Sequence, residues 1–583
     1  MTGRQLCIIA VCILTLAGCS TPGEQSTKNN PDNTSSVKIP VHRDNRSVAD
    51  KAVPSTGKIR QGNVAKLQVK SMAGSPQPLF TGIMAAPEEG MWRPPAWNRE
   101  SYNAMTENGF IATSNDPLST FSIDVDTASY SNIRRFINQG TLPPAGAVRI
   151  EEMVNYFHYT YPEPAGKNPV SITSEVGPCP WKKGHKLVRI GIKAKNIAKD
   201  KLPPSNLVFL VDVSGSMTAT NKLPLLKKAM KMLVRQLDRD DRVSMVVYAG
   251  MDKVVLPPTA GNKQKTIMAA IDALGAGGST HASSGIITAY KLAQQVYMPG
   301  GNNRIILASD GDFNVGITSR DELQRLIEEK RKSGIYLTVL GFGMGNYHDD
   351  TMEILADKGN GNYAYIDNLL EAKKVMVKEM SGTMFTLARD VKLQIEFNPA
   401  KVAAYRLIGY ENRALADEDF NNDRKDAGEI GVGHTVTALY ELIPAGSNEV
   451  PSVDPLKYQK ITKTTQKKYQ DEIMTIKLRY KPLNTTKSVL LSKSVKDRET
   501  SLARTSDDFR FAAAVAAFGM LLEHSPFAGD FDFEQVLTLA KRSRGSDDEG
   551  YRAEFIRLVE TADLLSKSTM PPQSGNTMHG LRR

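Results

Sequence analysis

The chain has 583 residues, of which 40% are hydrophobic and 23% charged, so it is long enough for several packed domains and is not disordered throughout. Lys and Arg number 74 against 63 Asp and Glu, a net charge of +11. Spread over this length, without a block of like charge or an aromatic-plus-basic motif, that excess argues against nucleic acid as a partner. Four cysteines exclude a disulfide-built scaffold.

Arg4 is the only charge in residues 1–18, and LCIIAVCILTLAG (6–18) is an apolar run too short to span a bilayer. It reads as a signal segment. It ends Leu16-Ala17-Gly18-Cys19, which resembles the bacterial lipoprotein box. That resemblance implies cleavage after residue 18, lipidation of Cys19 and an anchor in the cell envelope. Ser20 in the next position favours the outer membrane, facing the periplasm or the cell surface. Cys7 and Cys12 would leave with the signal. Cys179 is then the only free thiol, and between Pro178 and Pro180 with no base beside it, it reads as a small buried apolar residue.

Residues 19–115 are rich in Ser, Thr, Asn, Gly and Pro and have poor periodicity, so a flexible tether is expected, with an r.m.s. reach of about 55 Å. A Trp-bearing stretch, MWRPPAWNRESYNAM, lies within it. The region 116–202 reads as a small α+β domain. STFSIDVDTASY gives a strand, then Asp126 or Thr127 as a helix cap, with Gly140 as the stop and a second helix near 148–156. In KLVRIGIKA, Val188, Ile190 and Ile192 alternate with Arg189.

Between 203 and 384 strands and helices alternate. NLVFLVDV, RVSMVVYA, KVVL, RIILAS, IYLTVLGF and YAYI are mostly continuous apolar runs, as strands covered on both faces must be. Leu223, Leu226, Met230, Leu233 and Leu237 mark an amphipathic helix, and others are expected at 263–274, 284–296, 320–333 and 368–384. This pattern predicts an α/β doubly wound domain. After it, 385–500 reads as β-rich, 501–569 as helical, and 570–583 as a disordered tail. The half-apolar strands at 170–197 and 390–480 each need a second layer, so the α/β domain is expected to be inserted between two halves of one β-sandwich.

The chemistry lies where a doubly wound sheet places it, at the carboxyl ends of its strands. The first strand ends Asp212-Val-Ser214-Gly-Ser216, a loop Gly277-Gly278-Ser279-Thr280 precedes a helix, and RIILAS ends Ser309-Asp310-Gly311. Two carboxylates and a set of hydroxyls on one rim suit a small octahedral cation, Mg²⁺ or Mn²⁺. A cage so poor in carboxylates leaves the metal electrophilic toward an outside carboxylate.

These residues resemble the metal-ion-dependent adhesion site (MIDAS) of the von Willebrand factor type A (VWA) domain. Asp212, Ser214 and Ser216 match its DxSxS motif, Thr280 its distant threonine and Asp310 its fourth-strand aspartate. The flanks, STFSIDVDTASYSNIRRFINQG and SDDFRFAAAVAAF, look like those of bacterial lipid-anchored VWA proteins with their own N- and C-terminal domains. The resemblance implies metal-dependent binding of a protein partner through an acidic side chain, without catalysis.

Two other classes stand beside that reading. One is a structural or regulatory envelope factor acting through its flanking domains; the other is an enzyme using the metal as a Lewis acid. An EF-hand beginning at Asp310, Asp312 and Asn314 is disfavoured, because Val315 stands where that loop needs glycine. Ser214 or Ser216 as a hydrolase nucleophile lacks the GxSxG setting, with His281 the one candidate base. The eight histidines show no zinc spacing.

Overall fold

The computed structural model describes residues 100–569, apart from 103–104, 279–281, 312–319, 346, 450–468, 484 and 499. The signal segment, Cys19, Thr280, Asp312, Asn314 and the C-terminal tail lie outside the described residues.

In chain order the elements begin with β1 (Ile111–Ala112), β2 (Leu118–Ser122), α1 (Ala128–Asn138), α2 (Ile150–Asn155), β3 (Val170–Pro178) and β4 (Lys186–Ala194). The α/β part comprises β5 (Ser205–Asp212), α3 (Leu223–Val234), β6 (Arg242–Tyr248), β7 (Asp252–Ala260), α4 (Gln264–Asp272), α5 (Ala282–Gln295), β8 (Asn302–Ser309), α6 (Arg320–Arg331), β9 (Tyr336–Phe342), α7 (Asp349–Lys358), β10 (Tyr363–Ile366), α8 (Leu369–Lys373) and α9 (Met380–Met384). Then come β11 (Thr386–Phe397), β12 (Val402–Ile408), β13 (Ile430–Gly431), β14 (Thr435–Pro444), β15 (Glu472–Pro482), β16 (Val489–Lys496), α10 (Asp507–Leu522), α11 (Phe533–Arg542) and α12 (Tyr551–Thr569).

The α/β sheet runs β10-β9-β8-β5-β6-β7, all parallel except β7, which returns antiparallel along β6. Side chains alternate along β5 and feed two cores. Leu207, Phe209 and Val211 pack with Leu226, Met230 and Leu233 of α3; Val208 and Leu210 pack with Ile286 and Tyr290 of α5. The continuous apolar run in the sequence is the sum of these two alternations.

The strands before and after the α/β part do join. β4 pairs with β14 from Lys186–Leu442 to Lys193–Thr435, in a sheet ordered β1-β12-β14-β4-β3. The second sheet, β13-β11-β15-β16 with β2 added to β11, packs on it. Val188, Ile190 and Ile192 meet Leu393, Ile395, Ile476 and Leu478 in the core between them. The amino ends of the α/β strands face this sandwich: Arg304 at the start of β8 lines a cavity of about 360 Å³ with Thr386 and Glu429. The carboxyl ends therefore point away from it.

The outer face of the first sheet is covered by helices. Leu187, Ile408 and Leu439 share a core with α1, α2 and α10–α12. α10 is buried nearly all round, as the central helix of such a layer must be. Ser506 caps it by accepting from the Phe509 amide at 3.0 Å. Gly519 brings it against α2: a Cβ there would stand 2.8 Å from Ile150 Cγ1. Among the described residues no helix is long and apolar enough to cross a membrane.

Buried arginines tie these parts together. Arg134 of α1 reaches Asp367 and Glu371 beside β10, and Glu554 of α12. Arg149, the residue just before α2, reaches Asp349 and Glu353 of α7.

Several local expectations need correcting. Asp126 does not cap α1; its carboxylate accepts from the Tyr363 amide of β10 at 2.8 Å, and Thr127 at the cap position makes no side-chain bond. The structured chain starts before 116: Glu100 pairs with Arg135 at 2.8 Å, and β1 joins β12. The single helix expected at 368–384 is three pieces, with a π turn at Lys374–Lys378. α7 was not anticipated.

Glu523 closes α10 at its negative end. Burial, with Glu107, Glu411 and Glu151 nearby, pushes its carboxyl up to about 9. A carboxyl raised on folding contributes stability that is present below its ordinary value of 4.5 and lost as pH rises toward about 9. Glu523→Gln is therefore expected to melt higher than the wild type above about pH 6 and to converge with it below about pH 4.5. Thermal melts across that range check this.

Candidate metal centre

β5 delivers Asp212 to the rim with its side chain fully buried. The chain then turns through a short 3₁₀ segment at Gly215–Thr218, which leaves Ser214 buried and Ser216 exposed. Asp212 organises the turn. One carboxylate oxygen accepts from the Ser214 amide at 2.9 Å; the other accepts from the Ser309 hydroxyl at 3.0 Å and, more loosely, from Tyr248 at 3.4 Å. Burial raises the Asp212 carboxyl to about 6; the Ser214 hydrogen bonds oppose that rise, and the charge of Asp310 adds to it.

The hydroxyls of Ser214 and Ser216 lie 3.0 Å apart. Two adjacent ligands of an octahedral Mg²⁺ with bonds near 2.0–2.1 Å also stand about 3 Å apart. The pair thus has the spacing of one edge of such a cage, and this donor set fits the cation. Among the described residues no group of three or more His, Cys, Asp and Glu is arranged to hold a metal, so a cation here depends on hydroxyl oxygens.

The loop leading to Thr280 is stitched to this turn. Gly277 donates to the Val213 carbonyl at 2.7 Å, and Gly215 donates to the Gly278 carbonyl at 3.1 Å. Thr280, Ser279 and His281 follow directly, outside the described residues. Asp310 comes after β8, nearly fully buried. The structure thus brings Asp212, Ser214, Ser216 and Asp310 to one rim, and fixes the loop that precedes Thr280.

Two residues at the centre, Tyr248 and Lys222, were not singled out from sequence, and Ser309 was named there only as the end of its strand. Ser309 and Tyr248 hold Asp212. Lys222 donates from Nζ to Asp310 at 2.8 Å. Its stem occupies the space a Cβ on Gly343 would need, so Gly343, at φ +84°, is what lets the lysine through. No sequence signal marks this pair, whose members are 88 residues apart. The ammonium neutralises Asp310 and repels a second cation. Lys222→Met is expected to tighten Mg²⁺ binding about tenfold, by relief of roughly 1–2 kcal/mol of repulsion; calorimetry reads it directly.

Cys179 is buried, and burial pushes its thiol well up, as an inert packing residue requires.

A doubly wound sheet with a DxSxS turn at its rim defines the VWA class. Residues 206–378 match the family described as von Willebrand factor type A domain, residues 96–189 the one described as von Willebrand factor, and residues 382–565 the one described as uncharacterized protein YfbK, C-terminal. Uncharacterized protein YfbK of Escherichia coli K12 is 43% identical over 469 residues, 79% of this chain and 81% of the relative. The chain belongs to the VWA-domain proteins and, within them, to the family of YfbK. Uncharacterized protein sll0103 of Synechocystis is 30% identical over 188 residues, 32% of this chain and 43% of that protein. Among solved structures, von Willebrand factor type A from Catenulispora acidiphila is similar at 14% identity and TM-score 0.37, over 65% of this chain and 88% of that one.

Proposed function

We propose that this chain is a non-enzymatic binding protein that holds Mg²⁺ or Mn²⁺ on the VWA rim and uses it to take a carboxylate from a protein partner. VWA domains commonly bind other proteins, and family membership supports that much. The observation that carries the finer reading is the pair of hydroxyls 3.0 Å apart above a buried Asp212. Ser214 and Ser216 would ligate the metal, Thr280 would add a third hydroxyl, and Asp212 and Asp310 would hold the site through their hydrogen bonds or directly. The metal would supply an electrophilic position open to an outside oxygen ligand. In this chain Asp212 fixes the serine turn, Ser309 orients Asp212, and Lys222 restrains Asp310.

The same reading places the protein in a bacterial envelope, anchored by lipid on Cys19, in the outer membrane facing the periplasm or the cell surface. Cys19→Ser is expected to leave the chain unprocessed or release it from membranes; fractionation and mass spectrometry of the amino terminus report it, and a variant that matures and sediments like the wild type would remove the anchor from the account. The function itself is tested by in-cell crosslinking with and without chelator. Partners that depend on the metal disappear with EDTA, whereas capture indifferent to EDTA would favour action through the flanking domains.

A further inference from the structure

Seven arginines are buried among the described residues, and six of them, Arg134 and Arg149 included, form ion pairs. Arg304 is the seventh, and among the described residues it forms none. It is the only charged residue of β8 (NNRIILAS), a strand covered on both faces, and it is 1% exposed. Its guanidinium donates to the Thr338 hydroxyl at 2.7 Å and, more loosely, to the Met384 carbonyl at 3.5 Å. Its Nε has no hydrogen-bond partner among the described residues. A guanidinium stays charged at any ordinary pH, so burying one without a counter-charge is costly.

The missing counter-charge lies across a cavity. Arg304 lines the space of about 360 Å³ between the amino ends of the α/β strands and the sandwich, and so do Glu429, just before β13, and Asp124, between β2 and α1. Glu429 accepts from the Thr386 hydroxyl at 2.7 Å, and neither carboxylate forms an ion pair among the described residues. The other charges of the wall are committed: Arg331 to Asp426, Arg413 to Asp357 and Lys358 to Glu328. Burial lowers the Arg304 guanidinium to about 10 and raises the Asp124 and Glu429 carboxyls to about 7, as charges without close partners require. One cation and two carboxyls thus share a cavity, with more than 4.0 Å between the guanidinium and either acid. Opposite charges held apart in this way complement a small molecule that carries both. A guanidinium fork matches a carboxylate, and an ammonium has three donors to share between two carboxyls. The volume suits such a ligand, and the exposed side chains of Lys358 and Asp426 mark where the cavity opens to solvent.

We propose that this cavity binds a free α-amino acid, its carboxylate on Arg304 and its ammonium on Glu429 and Asp124. The site lies at the opposite ends of the α/β strands from the candidate metal centre, and the proposal does not depend on a metal there.

The test is titration calorimetry on the purified full chain with glycine, L-alanine, D-alanine, L-leucine, L-phenylalanine, L-glutamine and L-lysine as probes. At least one is expected to bind with a Kd below about 1 mM. For the tightest binder, the α-amide, which lacks the carboxylate, and the α-hydroxy acid, which lacks the ammonium, should each bind at least about tenfold more weakly. Arg304→Met and Asp124→Asn should each cost at least about tenfold as well. Arg304→Met exchanges a lone buried charge for an apolar side chain and is expected to melt no lower than the wild type. Asp124→Asn, nearly isosteric, carries the test if Arg304→Met does not fold. Binding of none of the seven probes overturns the proposal. So does an amide or hydroxy acid that binds as tightly as its parent, and so does binding that Asp124→Asn leaves unchanged, which would place the ligand elsewhere.

Discussion

Asp212→Ala is expected to lower Mg²⁺ affinity by at least about a hundredfold, from the micromolar-to-millimolar range that a carboxylate-poor site allows to beyond calorimetric detection. The reason lies in what Asp212 holds. It bonds the Ser214 amide and the Ser309 hydroxyl, so its loss frees the turn that keeps the two serine hydroxyls 3.0 Å apart. It also removes one of two carboxylates at the centre. The fold should survive, because the site is at the rim and the cores on either side of β5 are built from other residues. A variant that melts within a few degrees of the wild type and binds no Mg²⁺ is the expected outcome. Ser214→Ala should reproduce a weaker form of it, since that substitution removes one hydroxyl and leaves the Asp212 carboxylate in place.

Arg149→Met is expected to destabilise the whole chain, by about 3–5 kcal/mol in urea unfolding at neutral pH. Arg149 is buried and lies 2.8 Å from Asp349, 3.0 Å from Glu353 and 3.2 Å from Glu152. Burial already raises Glu152 and Glu353 to about 7, against the pull of this guanidinium. Without it, Glu152 and Asp349 lose their guanidinium in a buried seam, and Glu353 keeps only Arg413, at 3.3 Å. The sign with pH follows. Carboxyls raised on folding cost stability as pH rises, so the variant should recover toward the wild type as pH falls below about 5. A deficit of the same size at pH 4 and pH 7 would mean that lost packing, rather than charge, dominates.

The parts of the structure that were legible in sequence are those where one element carries its own signal. β5 announces itself as an apolar run ending in the DxSxS turn, and Asp212, Ser214 and Ser216 share that turn with one another. The half-apolar strand at 186–194 required a partner layer, and β14 with the sheet opposite supplied it. Where contacts cross the chain, the sequence was silent. Asp126 looks like a helix cap because Asp and Thr precede a helix, yet its carboxylate is claimed by β10 more than two hundred residues on. β14 lacks clean alternation because both of its faces are covered, one by the sandwich core and one by the helical layer. α7 is short, and nothing in the local sequence signals that Arg149 and Arg413 face its acidic positions. Lys222 sits after a loop with no motif, and only the fold brings it to Asp310.

The measurement that bears most directly on the central claim is a crystal structure of the full chain grown with Mn²⁺ and acetate, with data collected at the manganese edge. The account predicts an anomalous peak about 2.1–2.3 Å from the hydroxyl oxygens of both Ser214 and Ser216, with one position of the cation open to water or an acetate oxygen. A chain saturated with Mn²⁺ that shows no peak at those hydroxyls, or carries its manganese elsewhere, would contradict it.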